Sequence, residues 1–176
     1  KDLIFDGIMA IPLAIVAMLI YIWFRFEFPF AIGAVIALMH DIFLTIGMFS
    51  LTSLEFNLAT VAALLLIIGY SMNDTVVVYD RIRENLKKYK KLEITALLNK
   101  SLNETLSRTV NTTFTTIMAL LALYFLGGSI IKDFSFAMIW GIVIGTYSSL
   151  LIATPILMKL DIRGEKKIIE EDETRN

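Results

Sequence analysis

Five apolar stretches of bilayer-spanning length decide what this 176-residue chain can fold into. They lie at residues 3–24, 28–51, 58–79, 109–126 and 134–157. A helix needs about 20 apolar residues to cross the roughly 30 Å hydrocarbon core. The runs are too long and too continuous for barrel strands, and lipid admits no other regular backbone than helix or closed barrel. With 57% hydrophobic residues and a mean hydropathy of +0.72, most of the chain belongs in lipid. The expected fold is all-α: a polytopic membrane bundle of five transmembrane helices with an amphipathic cytoplasmic helix. Residues 1–160 are assigned to the transmembrane domain, 81–107 to a cytoplasmic connector within it, and 161–176 to a charged cytoplasmic tail.

The net charge of −1 is uninformative, but the placement of the cations is not. Fourteen of the 16 lysines and arginines fall on one side of such a bundle. Arg25 follows the first span, eight residues from Arg81 to Arg108 fill the stretch between the third and fourth, and five follow the last. Only Lys1 and Lys132 lie opposite. The positive-inside rule then puts the C-terminus in the cytoplasm and the Lys1 end outside, for a multi-pass protein of the cytoplasmic membrane. Tyr21, Trp23 and Phe24 fit an interfacial aromatic belt. The absence of cysteine excludes disulfides and thiolate metal sites, and no metal or cofactor is expected. No signal peptide is evident, and an odd number of spans with an external first end is expected of a fragment.

Along the chain, Gly7 and Pro12 can bend the first span, and Pro29 sits at the start of the second, where its missing N–H costs nothing. A short polar outer loop is expected at 52–57. The stretch after the third span carries the basic run 87–91, then Ile94, Leu97, Leu98, Leu102 and Leu106 on one helical stripe. That stripe reads as an amphipathic helix on the membrane or on another helix, running into span four. The basic run suits anionic lipid headgroups, though a solvated positive-inside loop explains it as well. With no basic domain and no aromatic platform, nucleic acid is not a partner. Span five contains Gly141 and Gly145 in a GxxxG pair continued by Ser148 and Ser149, a sign of close helix packing.

The chemistry concentrates in the third and fourth spans. Asp74 stands inside hydrocarbon, where a carboxylate costs several kcal/mol unless protonated, paired or hydrated. Arg108 lies about one turn into span four at similar depth, so the two can pair if those helices are neighbours. An acid balanced between a nearby cation and desolvation can bind and release protons. A static ion pair that fixes helix register is the alternative. Asn73, Thr112 and Thr116 are candidates for lining or supporting a path. The threonine-rich start of span four can equally pack against another helix. His40 and Asp41 are weaker candidates. Adjacent helix positions point about 100° apart, which argues against a shared site and leaves His40 to bond a neighbouring helix, with a proton-relay role as the less favoured alternative. Asp80 beside Arg81 and Arg83 reads as a local interfacial salt bridge or cap. Enzyme readings fail: the GxGD of intramembrane aspartyl proteases and the GxSG of rhomboid-type proteases are absent, and no phosphate-binding glycine loop is present.

The run Gly-Tyr-Ser-Met-Asn-Asp-Thr-Val-Val-Val-Tyr-Asp-Arg-Ile-Arg-Glu-Asn at 69–85 resembles the signature of the SecD/SecF family of protein-export membrane proteins. Supporting stretches are Tyr21 to Glu27, Leu38 to Asp41, Leu54 to Leu58, Ser107-Arg108-Thr109 and Gly145 to Ser149. The likeness covers nearly all of 1–164, and Asn73-Asp74-Thr75 favours the SecF branch over its sister SecD. The resemblance implies a member of the resistance-nodulation-division superfamily that works with SecD beside the SecY channel. There it uses the proton-motive force to help export preproteins. It also implies proton-conducting roles for Asp74 and Arg108. The family's first span and the extracytoplasmic domain after it have no counterpart here, so the five spans correspond to spans two to six. A small-molecule efflux half-transporter of the same superfamily and a structural scaffold of the translocase are the alternatives.

Overall fold

The computed structural model describes residues 2–52, 57–160 and 162. The expected tail at 161–176, apart from Ile162, therefore lies outside the described residues, as do Lys1 and positions 53–56 of the expected outer loop. The described residues form α1 (Asp2–Arg25), α2 (Phe28–Thr52), α3 (Leu58–Lys88), α4 (Ile94–Leu126) and α5 (Ser129–Ser148). A π-helical turn (Ser149–Ala153) and a short α6 (Thr154–Lys159) continue α5. No strand occurs among the described residues, so the all-α class holds.

Four helical units are long and apolar enough to cross a membrane: Phe28–Thr52, Leu58–Lys88, Ile94–Leu126 and Ile131–Lys159. Met9–Arg25 adds a shorter apolar helix with Pro12 inside it. Helix ends differ from the expected span ends for a physical reason. A 31-residue α3 is about 46 Å long, well beyond the hydrocarbon thickness, so it projects. Its projecting turns, 81–88, are rich in good helix formers and end on Lys87 and Lys88, which suit the negative end of the helix dipole. The other end is fixed by a capping box: Asn57 Oδ1 accepts from Thr60 N at 3.1 Å, and Thr60 Oγ1 accepts from Asn57 N at 3.4 Å.

The amphipathic stretch runs without a break into span four. It is the first third of α4, a 33-residue helix whose start is capped by the Glu93 carboxylate on Thr95 N and Ala96 N. Its stripe packs on protein, not lipid: Leu97 and Leu98 are buried, and Ile94 and Leu102 lean on the same core as Phe30, Tyr79 and Ile82. Leu106 is exposed. Asp80, too, has a longer reach than a local cap. It accepts from Arg25 of α1 at 2.6 and 2.8 Å, and Arg83 stands 3.9 Å away.

A polar clamp joins α3 to α4 at this charged end. Asn85 Nδ2 donates to Glu104 Oε2 at 2.7 Å and to Ser101 Oγ at 2.9 Å. Arg81 Nε donates to Glu104 Oε2 at 2.7 Å, and Lys100 Nζ lies 3.2 Å from Oε1. The Asn85 bond, then the Arg81 bond, hold the Glu104 carboxyl at about 2, below its ordinary 4.5. A carboxyl whose folded value is depressed stabilises the fold fully above its unfolded value and loses that contribution as pH falls through the folded one. Amide exchange around 81–104 is therefore expected to quicken between about pH 4.5 and about pH 2. Glu104→Gln should remove that pH dependence; an identical profile in the variant would place the acid sensitivity elsewhere.

The helices meet most extensively along α3 and α5, with α2 and α4 flanking that pair and α1 lying on α3 and α2. The GxxxG pair makes this contact close. A methyl added at Gly145 would stand 2.9 Å from Ser71 Cβ, and one at Gly141 would run into the Ile67 side chain. One apolar cluster, with Phe26, Phe30, Tyr79 and Leu157, fills the charged end, and a second, with Phe49, Leu64, Leu120 and Ile142, fills the other. By position along α2, α3 and α5, a belt of buried polar residues falls between them.

Candidate functional site

Two buried aspartates anchor that belt. Asp74 of α3 is 3% exposed, and its Oδ2 accepts from Thr146 Oγ1 of α5 at 3.3 Å. Thr146, its hydroxyl proton engaged by Asp74, in turn accepts from Thr113 Oγ1 of α4 at 2.9 Å. A hydroxyl chain thus runs from α4 through α5 to the carboxylate. Arg108 is exposed on the neighbouring α4 and reaches Asp74 only through space. No hydrogen bond or ion pair joins the two.

Asp41 of α2 is 1% exposed and more heavily bonded than Asp74. Its Oδ2 accepts from Ser71 Oγ of α3 at 2.5 Å and from Ser148 Oγ of α5 at 2.7 Å. Its Oδ1 stands 3.1 Å from His40 Nδ1. The sequence-based expectation that neighbours on a helix do not share a site is wrong here. The two backbone directions do diverge, but the imidazole and carboxylate are long enough to swing together.

Below both acids the π turn completes the belt. Thr75 Oγ1 lies 2.8 Å from Ser149 Oγ, and Ser149 Oγ donates to Ser71 O at 3.3 Å. The widened turn leaves carbonyls for outside donors, and side chains supply them. Tyr79 OH donates to Ala153 O at 3.1 Å, and Thr154 Oγ1 to Ser149 O at 3.2 Å. π turns within membrane or soluble helices occur often at functional positions.

The remaining predicted residues fare unevenly. Thr116 is half-buried and receives the Tyr70 hydroxyl at 3.4 Å. Asn73 and Thr112 are exposed, and the Thr112 hydroxyl bonds back to the Arg108 carbonyl at 3.0 Å. The inward stripe of α4 is instead Thr105, Thr109 and Thr113; Thr109 keeps a buried hydroxyl without a partner. Sequence reasoning missed Ser71, Thr75 and Thr146 and read Ser148 and Ser149 only as packing residues. The available signal was spacing: 71 and 75 on α3, and 145 and 148 on α5 with 149 just beyond it, share stripes with the motif acid and the GxxxG pair.

Chemically, the belt offers carboxylates ringed by neutral hydroxyls that can donate to an anion or accept from an acid, so either protonation state finds partners. The sequence profile of the family described as protein export membrane protein SecD/SecF, C-terminal, matches residues 1–163. A protein translocase subunit SecF of Rickettsia rickettsii is 53% identical over 171 residues, covering 97% of this chain and 56% of the relative. The SecF subunit of Rhodobacter capsulatus is 51% identical over 168 residues, covering 94% of this chain and 50% of its own. The chain thus spans about half the length of the curated relatives it matches. Among solved structures, SecDF in its super-membrane-facing form superposes with a TM-score of 0.80 at 44% identity, over 90% of this chain and 21% of the other.

Proposed function

This chain belongs to the SecD/SecF family of protein-export membrane proteins, and from that premise we propose that it is the membrane part of a proton-motive-force-coupled accessory subunit of the Sec translocase. The observation that carries the reading is the burial of Asp74 in a hydroxyl-lined helix junction, within the family's own motif. In this reading Asp74 carries the proton and Arg108 is its switchable counter-charge, separated from it in the state described here. Moving one charge through 100 mV supplies about 2.3 kcal/mol. That is enough to bias a two-state equilibrium about fifty-fold.

All five apolar stretches cross the membrane in this reading, with the charged end of the bundle and the C-terminus in the cytoplasm and the Lys1 end outside. SecD packs beside it, so the outward-facing Asn73, Thr112 and Arg108 meet a partner helix and not lipid. A SecY-type channel and its preprotein substrates complete the assembly. The orphan Thr109 hydroxyl supports a junction that rearranges, since leaving it unpaired costs about 1–3 kcal/mol.

The test uses the full-length protein reconstituted with SecD and the channel. Arg108→Ala should lower both proton flux and late-stage preprotein export by about tenfold or more, the equivalent of about 1.4 kcal/mol. Flux and export at wild-type levels would leave Arg108 a structural residue and remove half of the proposed switch. Proton flux stimulated by small molecules in the absence of SecD would favour an efflux transporter instead.

A further inference from the structure

The His40–Asp41 pair is a part-buried ionisable unit that the reading above does not use. Three elements converge on it. α2 supplies the pair itself, α3 supplies Ser71, and α5 supplies Ser148 together with Tyr147, whose ring lies 6.3 Å from the imidazole. Among the described residues no lysine or arginine pairs with Asp41, so His40 is the only group in contact with it that can become cationic. Asp74 is the other acid nearby along α3, bound to a different hydroxyl of α5. Exposure is graded across the pair: the Asp41 side chain is 1% exposed and that of His40 29%.

This geometry suits a proton that enters at one end and is held at the other. With Asp41 ionised, the two serine hydroxyls donate to Oδ2, and an Nδ1–H of neutral His40 donates to Oδ1. A proton arriving on Nε2 makes the imidazolium. Transfer of the Nδ1 proton to Oδ1 then gives a carboxylic acid whose O–H donates back to Nδ1, leaving neutral His40 with its proton on Nε2. One proton is gained, no other bond changes, and the reverse sequence releases it. The gain has a mechanical result. Ser71 and Ser148 donate to a charged carboxylate in one state and to a neutral acid in the other, and bonds to a charged acceptor are roughly twice as strong. Those bonds tie α2 to α3 and α5.

We propose that His40 and Asp41 form a second proton-binding site, distinct from Asp74, whose occupancy sets how firmly α2 is held against α3 and α5. The proposal deepens the proton-coupled reading but is tested by titration without export, so failure of one is distinguishable from failure of the other. The experiment is infrared pH-difference spectroscopy on the full-length protein with SecD in lipid nanodiscs, in an Asp74→Asn background. A titrating carboxylic-acid band is expected to remain in Asp74→Asn and to vanish when Asp41→Asn is added. Ser71→Ala with Ser148→Ala keeps the carboxylate and should displace the band's midpoint by about tenfold in proton concentration. His40→Phe removes the Nδ1 partner of Oδ1 and should also displace the band. A band that survives Asp41→Asn, the absence of any titrating band in Asp74→Asn, or a midpoint unmoved by the serine changes would each overturn the proposal.

Discussion

Asp74→Asn is expected to abolish proton-driven turnover while leaving the bundle folded. Asparagine has nearly the shape of aspartic acid, and its amide oxygen can still accept from Thr146, which is 3.3 Å from the native carboxylate. The Thr146–Thr113 bond between α5 and α4 is then undisturbed. What is lost is the ability to change charge in place. A membrane potential of about 100 mV acts on one elementary charge with about 2.3 kcal/mol. Without that charge the bias of about fifty-fold between two conformations has nothing to act on. Proton flux should therefore fall by that order, with the melting temperature changed by only a few degrees. Near-normal flux in a well-folded variant would exclude Asp74 as the carrier; a collapsed melting temperature would mean that its role is architectural.

Gly145→Val is expected to be the most damaging single change in packing. The new Cβ would stand 2.9 Å from Ser71 Cβ and 3.3 Å from Ser71 Cα and Oγ, at the most extensive pairing in the bundle. Relief requires α3 and α5 to separate, and overpacking of this kind costs about 1–3 kcal/mol. Separation also draws the Ser71 hydroxyl off Asp41, so the structural loss is compounded by a buried carboxylate short of a donor. Gly47→Ala is the matching control. An added methyl there meets nothing within 4 Å, and alanine is the better helix former. Thermal denaturation in detergent should show a lower midpoint for Gly145→Val and an unchanged or higher one for Gly47→Ala. Equal midpoints would mean that the α3–α5 contact is looser in solution than 2.9 Å implies.

How much was legible beforehand follows from which forces are local. Hydrocarbon imposes its thickness on every crossing helix, so the apolar cores of α2, α3, α4 and α5 could be read from runs of residues alone. Where those helices stop could not, because outside the lipid the decision passes to tertiary contacts. Arg81, Asn85 and Glu104 keep α3 and α4 helical beyond the apolar limit by bonding to each other, and no window of sequence contains both partners. Asp74 stood out because an acid in lipid is costly. Ser71, Thr146 and Ser148 did not, since a lone hydroxyl in a membrane helix is common and bonds to its own backbone without cost. They become significant only when helix pairing carries them to a carboxylate. His40 and Asp41 were misread through geometry taken at the backbone, where side-chain reach decides.

The π turn at Ser149–Ala153 is also a phase slip. It takes up an extra residue without advancing the helix, so the stretch beyond it is rotated relative to an unbroken α-helix by about one residue, or about 100°. Ser148 and Ser149 can therefore both face inward, and Ala153, Thr154 and Leu157 resume the buried stripe on a new azimuth. The part before the slip packs on α2, α3 and α4, the slip itself on α2 and α3, and the part after it on α2 and α4. The bundle thus contains one point at which a membrane helix changes its facing without being broken.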